Sequence, residues 1–144
     1  MKRLMSTSND VALTMLRVVL GVVFFAHGAQ KMLGWFGGFG FHGTMGAFTH
    51  MGMPAALAFL IICTEFFGGL GLFFGLFTRI AAFGVGGLMI GAIFKVHLAN
   101  GFFMNWMGTQ KGEGFEYHLL VLAMAAALLL RGAGAFSLDR ALSK

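Results

Sequence analysis

Four apolar segments, near residues 11–33, 55–77, 80–99 and 115–131, leave connecting stretches too short to hold a soluble domain. A hydrocarbon core about 30 Å thick is crossed by roughly 20 apolar residues in helical form. In lipid each backbone N–H and C=O must be satisfied within its own segment, which for such runs means a helix. The chain is therefore expected to be an all-α integral membrane four-helix bundle, one transmembrane domain over 1–144. The last segment is a little short and must tilt little or borrow flanking residues. Composition agrees, with only 10% charged residues where soluble domains carry about 25%. Lys2 and Arg3 resemble the start of a signal peptide. The apolar run behind them exceeds the usual stretch of about 7–15 residues, so retention as a membrane helix is expected.

The basic residues set the orientation. Lys2, Arg3, Arg79, Arg131, Arg140 and Lys144 all fall on one side of the four segments, and only Lys111 stands in a loop of the other. The positive-inside rule then puts both termini in the cytoplasm, with the loops 34–54 and 100–114 outside. A net charge of +5 is thus explained by topology. The basic residues form no stripe, and nucleic acid is not an expected partner. In the 34–54 loop, glycines alternate with Trp35, Phe36, Phe39 and Phe41. Phe41, Met45, Phe48 and Met51 then recur at helical spacing before Pro54. This predicts a short interfacial helix in the first outer loop. Cys63 has no cysteine to pair with and reads as a packed small hydrophobe.

Ionisable residues inside apolar helices are costly and usually face a bundle interior or a cavity. On the first helix Arg17, Gly21, Phe24, Gly28 and Lys31 share a face, with His27 beside it. The second aligns Ala58, Glu65, Gly68 or Gly69, and Leu72. The third aligns Gly84, Gly87, Gly91 and Lys95, and the fourth Glu116, Leu120, Ala123 and Ala127. Small residues allow close helix approach, so these faces are expected to point inward around a polar pocket in the outer half. Depth along the helices puts Lys31, Lys95 and Glu116 near the outer ends, His27 a little deeper and Glu65 near the midplane. Arg17 falls about 9 Å inside the cytoplasmic end. Structural ion pairs, Lys31 with Glu116 or Arg17 with Glu65, are the competing reading. His97 and His118 each lie two residues from a stripe charge. That offset is about 200°, so they are expected to face headgroups or neighbours. No zinc spacing, H-E-x-x-H, phosphate loop or nucleophile triad is present. Metal is not expected, nor is haem, because no facing histidine pair is evident.

Several stretches resemble the DoxX family of small membrane proteins: Arg17-x-x-x-Gly21, His27-Gly28-Ala29-Gln30-Lys31, Glu65-Phe66-Phe67-Gly68-Gly69, and Gly75-Leu76-Phe77-Thr78-Arg79. Val96-His97, Gly114-Phe115-Glu116-Tyr117-His118 and Ser137-Leu138-Asp139 continue the series. The resemblance runs in order through nearly the whole chain. It implies a four-helix protein of the cytoplasmic membrane. The family's namesakes include a membrane subunit of an archaeal thiosulfate:quinone oxidoreductase.

The resulting expectation is a subunit of a quinone-linked redox system. His27, Lys31, Glu65 and Glu116 are the candidate catalytic residues. Arg17, Lys31, Lys95 and His97 are the candidate binding residues, with quinone the cofactor. Lys31 and Lys95 would stabilise developing negative charge, His27 and Glu116 would exchange protons, Glu65 would relay them toward the midplane, and Arg17 would hold Glu65 or guard the cytoplasmic side. The chain carries no recognisable electron carrier, so a membrane or peripheral redox partner protein is expected, and self-association is open. A non-catalytic membrane anchor or assembly protein is the alternative, and a small-molecule or proton carrier a further one.

Overall fold

The computed structural model describes residues 5–143. Lys2, Arg3 and Lys144, used above for orientation, lie outside the described residues. The order of elements is α1 Val11–Leu33, a 3-10 turn Trp35–Gly37, α2 Gly40–His50, α3 Ala55–Phe74, α4 Thr78–Ala92, a π-helical turn Ile93–His97, a 3-10 turn Leu98–Asn100, α5 Glu116–Arg131 and α6 Leu138–Ser143. The described residues contain no strand. Three helical stretches, Val11–Leu33, Ala55–Phe74 and Thr78–Asn100, are long and apolar enough to cross a bilayer. The 16 residues of α5 rise about 24 Å, short of a full hydrocarbon core. Helix α2 occupies the first long loop, where the aromatic spacing placed a short helix.

Local chemistry explains the boundaries. Asp10 caps α1, its carboxylate accepting from Ala12 N at 2.8 Å and Leu13 N at 3.4 Å. Gly34, at φ 76°, ends it in the left-handed conformation. Pro54 precedes α3, and Gly75 at φ 69° terminates it. Phe77 is left-handed at φ 49°, a strained position for a bulky residue. Asp139 holds it there, accepting from Phe77 N at 2.7 Å and Thr78 N at 2.9 Å. A carboxylate from the far end of the chain thus satisfies the first N–H groups of α4.

The helices pack as a ring: α1 along α3, α3 on α4, α4 on α5, and α5 back on α1. The core between them includes Leu20, Phe24, Leu72, Val85, Val121 and Leu128. The tightest interface is between α1 and α3, where backbones touch. A Cβ on Gly28 would sit 2.4 Å from Phe66 Cα, and one on Gly69 would sit 2.4 Å from Phe25 N. These helices meet at a distance only glycine allows.

Two arginines close the end of the bundle at which α3 stops and α4 begins. Arg17 is 1% exposed, and its guanidinium donates to Leu72 O at 2.6 Å, to Phe73 O, to Ala133 O at 3.0 Å and to Phe136 O at 3.0 Å. The sequence paired Arg17 with Glu65, but the guanidinium is wholly taken up by backbone carbonyls. The reason is proximity: Arg17 lies level with the end of α3, where the last carbonyls have no partner within the helix. Arg79 does the same for α5, donating to Leu129 O and to Leu130 O at 3.3 Å.

Two outcomes follow from this packing. Arg17→Met leaves the carbonyls of Phe73, Ala133 and Phe136 without a donor and is expected to cost roughly 3 kcal/mol, read as a lower thermal midpoint in detergent. Arg17→Lys should recover only part, because an ammonium cannot reach carbonyls spread across a planar fork. Gly28→Leu should separate α1 from α3, since the opposing atoms are backbone and cannot rotate away. Loss of a monodisperse peak in size-exclusion chromatography would show it, and an unchanged midpoint would contradict the close approach.

Candidate functional site

The half of the bundle away from Arg17 holds an ion pair. Lys31 Nζ, one turn from the end of α1, lies 2.5 Å from Glu65 Oε2 on α3. The side chains are 22% and 12% exposed, so the pair is largely withdrawn from its surroundings. It forms because Gly28 and Gly69 bring the two backbones together at that level, leaving a long lysine and a glutamate only one direction in which to meet. Neither ion pair considered from the sequence, Lys31 with Glu116 or Arg17 with Glu65, is the one formed. Tyr117, at the start of α5, lies within electrostatic reach of Glu65, although α3 and α5 are not neighbours in the ring.

Glu116 points elsewhere. Its carboxylate accepts from Met104 N at 3.0 Å and Trp106 Nε1 at 3.2 Å, tying down the second outer loop. At the first position of α5 it also faces the positive end of the helix dipole. His27 and Lys95 are exposed and are not brought to the Lys31–Glu65 pair. His97 lies at the outer end of the third span, its Nδ1 2.8 Å from Glu113 O.

On α4 and α5 the stripes expected to face inward do not. Gly87 and Gly91 are exposed with no atom within 4 Å of a Cβ built on either, and Leu120 is exposed too. The buried residues are Thr78, Ala82, Val85, Gly86 and Met89 on α4, and His118, Val121, Ala125 and Leu128 on α5. His118 was expected to face headgroups or neighbours. It is instead 5% exposed, its ring centroid 4.1 Å from that of His97. The π-helical turn Ile93–His97 supplies the physical reason, because the wider turn rotates His97 away from where an α-helix would carry it. The sequence signal was the recurrence of histidine at the facing ends of two helices. Helical-wheel angles hid it.

A groove of about 920 Å³ runs between α3 and α4. Leu57, Phe67, Phe74, Phe83 and Leu138 are among its walls, and Gly68 and Gly84 among the small residues that open it. No charged residue lines it, and it is separate from the Lys31–Glu65 pair. Among the described residues no group of three or more His, Cys, Asp or Glu side chains is placed to hold a metal ion.

Comparison with known proteins adds a lineage to this geometry. No solved structure matches the chain. It is 36% identical over 124 residues to "Putative oxidoreductase CatD" of Bacillus subtilis (strain 168), covering 86% of this chain and 83% of that one. It is 29% identical over 140 residues to "Inner membrane protein YqjF" of Escherichia coli (strain K12), covering 97% and 98%. Residues 12–98 match the DoxX family. That match takes in Arg17, the Lys31–Glu65 pair and the glycines between them, and this membrane protein belongs to the DoxX family.

Proposed function

We propose that the protein is a membrane subunit of a quinone-linked redox system, with the Lys31–Glu65 pair as the polar centre of its site. The observation that carries the proposal is the pair itself, ionisable groups facing each other inside an apolar bundle, which mark function more often than not. Lys31 keeps N–H donors beyond the one given to Glu65, and these suit an oxygen that gains negative charge on reduction or deprotonation. Glu65 keeps a second carboxylate oxygen to accept a hydroxyl proton. A relative bearing the word oxidoreductase in its name supports the same direction. Lys95 and His27, on the exposed surface, play no part in this centre, and Glu116 orders the outer loop above it. Electrons would come from a partner protein or directly from the reducing substrate.

A second reading has an observation in its favour. Lys31 and Glu65 satisfy one another, as they would if they only fixed the register of α1 on α3 in a membrane anchor. The two readings separate by ligand content. Wild-type protein purified in mild detergent is expected to yield near-stoichiometric quinone by mass spectrometry of its organic extract, and a Lys31→Met, Glu65→Leu double variant to yield none. Breaking the pair with Lys31→Met alone should cost about 3–5 kcal/mol, whereas the double variant should be near neutral or gain stability. A folded wild type devoid of quinone would rule out a tight quinone site and leave the anchor.

We further propose a fourth crossing by α5, with both termini in the cytoplasm and the inner membrane as its location. Arg79 and Arg140 support this orientation, since Arg79 bonds Ser6 and Leu130, and Arg140 bonds Asn9, at one end of the bundle. A green fluorescent protein fused to the C-terminus should fluoresce, and alkaline phosphatase fused at the same place should be inactive. The reverse pattern would refute the topology.

A further inference from the structure

The acidic residues of the chain are Asp10, Glu65, Glu113, Glu116 and Asp139, and each is already engaged. At the end of the bundle where α3 stops, Asp139 gives both carboxylate oxygens to the first N–H groups of α4, and Asp10 caps α1. The basic residues at the same end are not matched. Arg17 and Arg79 are taken up by backbone carbonyls, which leave their charge in place. Arg140 is half-buried and bonds the amide oxygen of Asn9, a neutral partner. Among the described residues no carboxylate pairs with it. A guanidinium stays charged in any surroundings, so the excess calls for an anion from outside the chain.

Arg140 lines a pocket of about 310 Å³ together with Asn9, Ala135, Phe136, Ser137 and Ala141, a volume at the small end of ligand sites. Its walls come from opposite ends of the chain and are tied to one another. Ala135 N donates to Asp10 O at 3.0 Å, and Gly134 N to Thr7 Oγ1 at 2.6 Å. The walls offer donors. Asn9 gives its oxygen to Arg140 and so presents its NH2 group, and the guanidinium has N–H groups beyond the one given to Asn9. No carboxylate lines the pocket. Phosphate suits such walls, because its oxygens accept from a guanidinium by two charge-assisted bonds at once.

The surroundings say what the phosphate is attached to. Phe136, one of the walls, is 82% exposed, and Leu138 and Leu142, on the same short helix as Arg140, are 45% and 61% exposed. The carbonyl of Phe136 is held by Arg17, which fixes the backbone from which the ring projects. An outward aromatic ring and leucines beside a guanidinium have the make-up of a membrane interface.

We propose that this pocket binds the headgroup phosphate of an anionic phospholipid, held by Arg140 and Asn9, with the acyl chains lying along Phe136 and the leucines of α6. The bound lipid bridges the stretch before α1 and the stretch after α5. A zwitterionic headgroup is disfavoured, because its ammonium finds no carboxylate in the pocket. The site is independent of the Lys31–Glu65 pair and of any ligand there.

The test is binding of tail-labelled phosphatidylglycerol to the full chain in mild detergent, read by fluorescence anisotropy with unlabelled competitors. Unlabelled phosphatidylglycerol should compete at least about tenfold better than phosphatidylcholine, the worth of one charge-assisted hydrogen bond. Arg140→Gln should weaken binding by a similar factor. Asn9→Asp supplies an internal carboxylate for Arg140 and should lose the lipid while the thermal midpoint holds, so it serves if Arg140→Gln does not fold. Arg131→Gln removes an exposed charge outside the pocket and should bind as the wild type does. Equal competition by the two lipids, or undiminished binding by Arg140→Gln or Asn9→Asp, would overturn the proposal. An equal loss in Arg131→Gln would also overturn it, reducing the site to a diffuse basic surface. Inorganic phosphate displacing the probe as well as lipid does would show a site for a soluble anion and sink the lipid assignment.

Discussion

A guanidinium that supplies the donors for four backbone carbonyls is the contact on which the rest of the bundle depends. A helix ends with carbonyls that have no partner of their own, and in a bilayer water is not at hand to provide one. Arg17 meets the last carbonyls of α3 and at the same time the carbonyls of Ala133 and Phe136. One side chain of α1 therefore fixes the level of α3 and the path of the chain after α5. Gly75 leaves the room it needs, since a Cβ there would sit 2.9 Å from Arg17 Cζ. Asp139, delivered by the same stretch of chain, then secures the start of α4. Side chains from α1 and from the stretch after α5 thus meet the backbone where α3 ends and α4 begins.

The opposite half is organised differently. Its polar groups meet side chain to side chain, as Lys31 with Glu65 and His97 with His118, and they keep spare donors or lone pairs. Its loops are long and carry exposed aromatic residues such as Phe39, Phe103 and Trp106, suited to a membrane interface. One end is held through backbone carbonyls and the other through side-chain pairs. The apolar groove between α3 and α4 contributes nothing ionisable to either.

The sequence was legible where physics leaves one choice. Apolar run lengths gave the helices, and the faces of α1 and α3 followed from glycines set level with a charge. The faces of α4 and α5 did not. In a soluble helix polarity marks the outside, but in lipid the outer face is as apolar as the inner one, and Gly87, Gly91 and Ala123 carried no direction. The partners of Arg17 were hidden for another reason. Backbone carbonyls leave no trace in residue identity, so a charged residue in a helix invited pairing with a carboxylate. The His97–His118 contact needed the π-helical turn, which no spacing rule for an α-helix could supply.

The reach of Arg17 along the chain has a consequence for biogenesis. Its carbonyl partners at Ala133 and Phe136 stand 116 and 119 residues further on, so the first helix enters the membrane long before they are made. Until then the guanidinium must be held by water, lipid phosphate or the insertion machinery. The bundle can lock only after α5 has been delivered. Assembly thus ends where it began, with the last stretch of chain returning to the first helix as a latch, and a ribosome stalled before residue 133 would leave an inserted protein that is still open.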